Sequence, residues 1–145
     1  MTPKFNCQTE HTLLVGAEKW KPSSFISLIQ KYGLDSKTAK HLSCAYGDQA
    51  YKVAELSKNH QFLSKNHQFV ESEVVYACRR EFACTAVDVL ARRTRLAFLH
   101  AKDAFQALPN VIRIMSDEHG WDEKRRINEY KEGYEFLLTM GLELK

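Results

Sequence analysis

Apolar side chains recur every three or four residues along most of this 145-residue chain, and this spacing constrains the fold more than any other feature. One example is Val74, Val75, Cys78 and Phe82, which would share one face of a helix as an apolar stripe. Leu and Ala together number 28 against 13 Val and Ile, which favours helix because β-branched residues suit strands. We therefore predict an all-α fold, a compact bundle of about six to eight short helices.

Capping and turn residues divide the chain into these helices. Gly33 stands where the first helical pattern stops, and Asp35 precedes the second pattern as a candidate N-cap. Thr85 and Asp88 resemble a capping box for a later helix. Pro109 lies inside a helical pattern, and we predict that it breaks or restarts the helix there, because proline removes a backbone donor.

Two segments stand apart from the helical pattern. Residues 1–19 show no clean periodicity and are predicted to be a loose lead-in, followed by one helical domain over residues 20–145. The hexapeptide SKNHQF occurs twice within residues 57–69. Two copies are too few for a repeat fold, so we predict a local duplication in a polar loop. It places His60 and His67 seven residues apart, but no carboxylate or thiol joins them at the spacing of a metal site.

The placement of glycine excludes the usual nucleotide-binding loops. All six glycines are isolated, so no dinucleotide fingerprint, Walker A loop or nucleophile elbow is present. Backbone must approach a pyrophosphate closely, and glycine is the residue that permits this. We therefore expect the chain by itself to bind no FAD and to carry no catalytic residue. The four cysteines include no C-x-x-C pair, so we expect free thiols and no metal site.

Charge is concentrated in one region, which we call the charge cluster. Its members are Glu71, Glu73, Arg79, Arg80, Asp88, Arg92, Arg93 and Arg95. Guanidinium groups bind phosphate through paired donors, so one interpretation is a phosphate- or nucleic-acid-binding module that uses these arginines. The other is a set of ion pairs on helix surfaces, with Asp88 four residues before Arg92 in a favourable orientation. The mild net charge of +3 favours the ion pairs, because dedicated nucleic-acid binders are more basic.

The same region resembles a known family. The run from Phe69 to His100, FVESEVVYACRREFACTAVDVLARRTRLAFLH, contains an acidic E-x-E-V, then Y-A, E-F-A-x-T-x-x-D and R-R-T-R-L-A-F-L. This order is similar to the C-terminal domain of FAD-dependent glycerol-3-phosphate dehydrogenase, the quinone-linked mitochondrial and aerobic bacterial type. The likeness extends over residues 11–140 and departs at the SKNHQF duplication, where the family has a longer basic connector.

The resemblance implies a helical domain packed against a larger portion, absent from this chain, that binds FAD and oxidises glycerol 3-phosphate to dihydroxyacetone phosphate. It also implies ubiquinone and the inner mitochondrial membrane as partners of the full enzyme, and hence a mitochondrial location, although we see no targeting segment in this chain. We expect no nucleic-acid partner. The charge cluster is then predicted to be a structural element and an interface to the FAD-binding portion. An apolar docking face should be exposed where that portion is absent.

Overall fold

A computed structural model describes residues 6–56, 61–64 and 66–143, which divide into two units. The first unit ends at Tyr51 and the second begins at Lys52. The helices are α1 (Ser24–Tyr32), α2 (Ser36–Tyr46), α3 (Ala50–Glu55), α4 (Glu71–Arg80), α5 (Leu96–Leu99), α6 (Ala101–His119) and α7 (Glu123–Thr139). These seven helices, with no strand anywhere in the described ranges, confirm the all-α prediction.

The first unit is built on the α1–α2 pair, which follows the predicted signals closely. Gly33 ends α1 with a φ of +66°, a value that glycine adopts without strain. The carboxylate of Asp35 accepts hydrogen bonds from the backbone N–H groups of Lys37 and Thr38 at 2.9 and 3.1 Å, so Asp35 is the N-cap of α2. Leu28 and Leu42 are fully buried, as the helical spacing predicts.

The lead-in makes specific hydrogen bonds within the first unit. The backbone N–H of Asp48 donates to the Gly16 carbonyl at 2.7 Å, and the Asp48 carboxylate accepts from the Lys19 N–H at 3.0 Å. A 3-10 turn at Thr9–His11 lies further upstream. The predicted domain boundary after residue 19 stays a prediction.

The second unit has one hydrophobic core, formed mainly where α4, α6 and α7 pack together. Its largest fully buried side chains are Val74, Val89, Leu90, Leu96, Leu108, Met115 and Leu137. Because α6 contacts α4, α5 and α7, it is the central element of this unit.

Pro109 lies inside α6 and does not break it, so the predicted break is wrong. An interior proline costs about 3 kcal/mol, because a backbone hydrogen bond is lost and the ring crowds the preceding turn. Leu108 and Val111 beside it are fully buried, and each such side chain contributes roughly 1.5–3 kcal/mol. Packing on both sides of Pro109 therefore outweighs the cost of proline inside a helix. The two short helices predicted here are one helix of 19 residues.

The segment after α4 also departs from the predicted pattern. The helix ends at Arg80, and Phe82 lies in the following turn with 89% of its surface exposed, so its predicted place on the buried stripe is wrong. The capping box is confirmed, because Thr85 N–H donates to the Asp88 carboxylate at 3.0 Å and Asp88 N–H donates to Thr85 Oγ1 at 3.1 Å. The helix that it begins becomes a π-helix at Asp88–Arg93.

Candidate functional site

Several arginines of the charge cluster form ion pairs within the second unit. Arg79 binds Glu118 of α6 in a bidentate manner, with Nε and Nη2 at 2.6 and 2.8 Å from the carboxylate oxygens. The predicted pair of Arg92 with Asp88 is present. Both arginine side chains are more than half exposed, so each pair contributes modestly to stability. The Arg79–Glu118 pair also fixes the orientation of α4 relative to α6, because it joins a side chain of one helix to a side chain of the other.

Arg93 binds Glu81 in the turn after α4. Its Nη2 donates to the Glu81 backbone carbonyl at 2.5 Å, and its Nε lies 3.3 Å from the Glu81 carboxylate. Burial raises the pKa of the Glu81 carboxyl, and the charge of Arg93 offsets only part of this effect. Arg93 therefore fixes the backbone of the turn as well as pairing a charge.

The two acids that begin α4 have internal partners. Glu73 is 2% exposed, and its carboxylate accepts a hydrogen bond from the Val70 N–H at 2.8 Å, which caps the helix. Glu71 accepts from the side-chain amide of Asn110 at 2.6 Å and lies 3.5 Å from Arg113. Glu73 therefore has a structural role, and Glu71 connects α4 to α6.

Arg80 and Arg95 differ from the rest of the charge cluster. Both side chains are exposed, and neither side chain makes a hydrogen bond or an ion pair with any residue that the structure describes. A phosphate- or nucleic-acid-binding module would need Arg92, Arg93 and Arg95 available together, whereas the first two are engaged with Asp88 and Glu81. This geometry favours the ion-pair interpretation of the charge cluster.

The second copy of the hexapeptide surrounds a buried carboxylate at the start of α6. Asp103 is 4% exposed and accepts hydrogen bonds from Ser64 Oγ at 3.1 Å and from Asn66 Nδ2 at 2.9 Å. His67 Nε2 lies 3.4 Å from the same carboxylate. His60 lies outside the described residues. Within the described ranges, no group of His, Cys, Asp and Glu side chains has the geometry to hold a metal ion.

Asp103→Asn is expected to lower the free energy of unfolding at pH 7 by about 1–2 kcal/mol, because buried hydrogen bonds to a charged group are lost. Burial by itself raises the pKa of Asp103, but hydrogen bonds from Asn66 and Ser64, with His100 and His67 nearby, outweigh it and lower the pKa. A lowered pKa stabilises the fold above the unfolded value, and this contribution is lost as the pH falls below about 4. Urea unfolding from pH 7 to pH 2.5 should show the wild type and the variant converging in acid.

The control for this prediction is Asp117→Asn on the same helix. Asp117 is exposed and lies 3.6 Å from Arg113, so its loss should change stability at pH 7 by less than about 0.5 kcal/mol. Equal stability of Asp103→Asn and the wild type at pH 7 would contradict the role assigned to Asp103.

The glycines serve turns and close packing. Gly16 and Gly47 lie against each other, since a Cβ on Gly47 would be 2.1 Å from the Gly16 carbonyl oxygen. Gly133 of α7 faces Leu108 of α6. The remaining glycines have positive φ and follow helices, and they are Gly33, Gly120 and Gly141. These three have open space where a Cβ would lie, but each follows the carbonyl end of a helix, where the helix dipole disfavours an anion, so the glycines do not fit the pyrophosphate of a flavin dinucleotide.

All four cysteines are free. Burial raises the pKa of the Cys78 thiol to about 11, which keeps it protonated and unreactive at neutral pH. In the part of the chain that the structure describes, no helix is both long and apolar enough to cross a membrane.

The fold and these sites define an all-α domain in which most of the clustered charges are paired internally and the glycines support turns and packing. Comparison with known sequences identifies the family. The chain belongs to the family described as the C-terminal domain of alpha-glycerophosphate oxidase, whose sequence model matches residues 7–126. No solved structure matches the chain significantly.

Full-length relatives agree with this assignment. The mitochondrial glycerol-3-phosphate dehydrogenase of Mesocricetus auratus is 40% identical over 139 residues, which cover 90% of this chain and 19% of the relative. A probable mitochondrial glycerol-3-phosphate dehydrogenase of Caenorhabditis elegans is 39% identical over 96% of this chain and 20% of its own length. One from Arabidopsis thaliana is 38% identical over 96% of this chain and 25% of its own length. The chain therefore spans about a fifth to a quarter of the relatives that it matches.

Proposed function

We propose that this chain is the C-terminal helical domain of an FAD-dependent, mitochondrial glycerol-3-phosphate dehydrogenase and acts there as a structural and interface module. The full enzyme would oxidise glycerol 3-phosphate to dihydroxyacetone phosphate and pass the electrons through FAD to ubiquinone at the inner mitochondrial membrane. The observation that carries this proposal is the 40% identity to a mitochondrial glycerol-3-phosphate dehydrogenase over 90% of the chain but only 19% of that relative.

Two features of this chain support the proposal that it leaves the chemistry of the enzyme to the larger portion. The glycines do not form a phosphate cradle, so the FAD and its chemistry belong to the larger portion. Phe98 and Leu99 are each 60% exposed and border a groove of about 660 Å³ between α5, the start of α6 and the segment that follows α7. Exposed apolar side chains beside a groove are typical of a surface that another domain covers.

A chimera tests this proposal directly. We would replace the matched segment of the hamster (Mesocricetus auratus) enzyme, about a fifth of its length, with this chain and measure FAD content and glycerol 3-phosphate oxidation. The chimera should bind FAD and reduce a quinone analogue, whereas the isolated chain should do neither. The matched control is the hamster enzyme truncated before the same segment, which should be less stable than the chimera. Turnover by the isolated chain, or a chimera that yields no folded enzyme, would contradict the proposal.

The isolated chain also serves to test the alternative function. A phosphate- or nucleic-acid-binding module should bind a fluorescent oligonucleotide with an affinity that falls steeply with salt concentration, because binding releases counterions. We expect no salt-dependent anisotropy change with the isolated chain, because Arg92 and Arg93 already have acidic or carbonyl partners. A steep salt dependence would favour the alternative.

A further inference from the structure

The turn after α4 presents an exposed aromatic side chain on an unfavourable backbone conformation. Phe82 has a φ of +55°, in the left-handed region where a side chain with a Cβ is strained. Glycine usually occupies this position at the end of a helix. Phe82 is 89% exposed, so burial against the described residues does not offset the strain. Strained residues of this kind persist where the surrounding structure determines them, and they cluster at functional sites.

Hydrogen bonds on both sides of Phe82 fix the turn. The Ala83 N–H donates to the Ala77 carbonyl at 3.1 Å, and the Ala83 carbonyl lies 2.9 Å from His119 Nε2. Arg93 binds the Glu81 carbonyl at 2.5 Å. Ala83 is fully buried, so the chain must turn inward immediately after Phe82 and leave the ring outside. The ring is therefore held out from the surface before any partner binds, which reduces the entropic cost of binding.

The neighbouring charge indicates the chemistry of a partner. Arg80 is exposed two residues before Phe82, and no described residue pairs with it. Aromatic side chains and arginine are enriched among the residues that contribute most to binding at protein interfaces. A complementary surface would therefore offer an apolar pocket for the ring with a carboxylate at its rim.

We propose that Phe82 is the anchor through which this domain docks onto the larger portion of the full-length enzyme, in an apolar pocket with an acidic rim. This inference rests on the proposed function and names the docking residue. The relatives are about five times as long as the matched segment, so most of the protein that could cover this turn lies outside this chain. Covalent connection also gives the two portions a high effective concentration, so that one well-placed anchor has a large effect.

Phe82→Gly tests the proposal, because it should have opposite effects in two settings. In the isolated chain it relieves the left-handed strain and removes an exposed ring, so the melting temperature should rise by about 3 °C. In the hamster chimera it should remove the anchor, and the helical domain should be cleaved by protease about 10-fold faster than in the unmodified chimera. Arg80→Ala should increase the cleavage rate by a smaller factor. Cys84→Ser is the control and should change neither measurement, because the serine hydroxyl can replace the Cys84 thiol as the donor to the Phe82 carbonyl, which lies 3.4 Å from Sγ.

The outcomes separate this proposal from the one on which it rests. If cleavage of the helical domain is as fast in the unmodified chimera as in the isolated chain, the domain does not dock and the proposed function fails. If the unmodified chimera is protected and Phe82→Gly leaves that protection unchanged, the domain docks through another surface and only the anchor is overturned. If the isolated chain forms a dimer that Phe82→Gly dissociates, the occupant is a second copy of the chain, which also overturns the proposal.

Discussion

Glu129→Ala is expected to lower the free energy of unfolding of the second unit by about 3 kcal/mol. Glu129 lies on α7, is 1% exposed and accepts a hydrogen bond from the Ala86 N–H at 2.8 Å. Its other carboxylate oxygen lies 2.5 Å from the guanidinium of Arg125. The substitution leaves a fully buried backbone donor without an acceptor and removes the contact between α7 and the start of the helix after Thr85. Urea unfolding followed by circular dichroism measures the change.

The control for Glu129 lies on the same helix. Glu132 is exposed and accepts one hydrogen bond, from Asn128 at 2.7 Å, so Glu132→Ala should cost less than about 0.5 kcal/mol. Glu129→Gln keeps the side-chain volume and an acceptor for Ala86, and we expect an intermediate loss of about 1–2 kcal/mol. Equal stabilities of the Glu129 and Glu132 alanine variants would show that the buried carboxylate does not hold the two helices together.

Local signals in the sequence predict those parts of the fold that depend on neighbouring residues. The end of α1 at Gly33 and the N-cap of α2 at Asp35 are both correct, because each is decided by a few adjacent backbone groups. The reciprocal hydrogen bonds of Thr85 and Asp88 also follow from sequence spacing alone. In the candidate site, the pair of Asp88 with Arg92 is the one ion pair predicted by position, and it is present.

Contacts between distant residues account for what the sequence does not predict. Arg79 and Glu118 are 39 positions apart, and so are Ser64 and Asp103, so no helical spacing relates them. Pro109 remains helical because the packing around α6 is stronger than the local preference of proline.

Phe82 is the most informative of these differences. An apolar residue at helical spacing normally predicts burial, yet α4 ends before it and the burial of Ala83 directs the chain inward after it. The exposure of the Phe82 ring can therefore be predicted only when the residues that contact this turn are known. Phe82 departs from the rule that apolar residues at helical spacing are buried, and such departures concentrate at functional sites. For this reason we propose a docking role for Phe82.

A substitution at the contact between α6 and α7 is also expected to have a large effect on stability. Leu108 is fully buried, and a Cβ built on Gly133 would lie 2.8 Å from Leu108 Cδ1. Leu108→Ala should lower the free energy of unfolding by about 3 kcal/mol, because it removes buried methyl groups and leaves a cavity. Leu138→Ala, at an exposed leucine of α7, is the control and should cost less than about 1 kcal/mol.

Gly133→Ala should then change sign between two backgrounds. In the wild type its methyl group overpacks against the fully buried Leu108, and we expect a cost of about 2 kcal/mol, which exceeds the roughly 1 kcal/mol that alanine gains over glycine in a helix. In the Leu108→Ala background the steric conflict is gone, so the helix preference remains and the methyl group fills part of the cavity. We therefore expect Gly133→Ala to stabilise that background by about 1 kcal/mol. A double-mutant cycle by urea unfolding measures the coupling, and an equal cost of Gly133→Ala in both backgrounds would mean that Leu108 is not what requires glycine at this position.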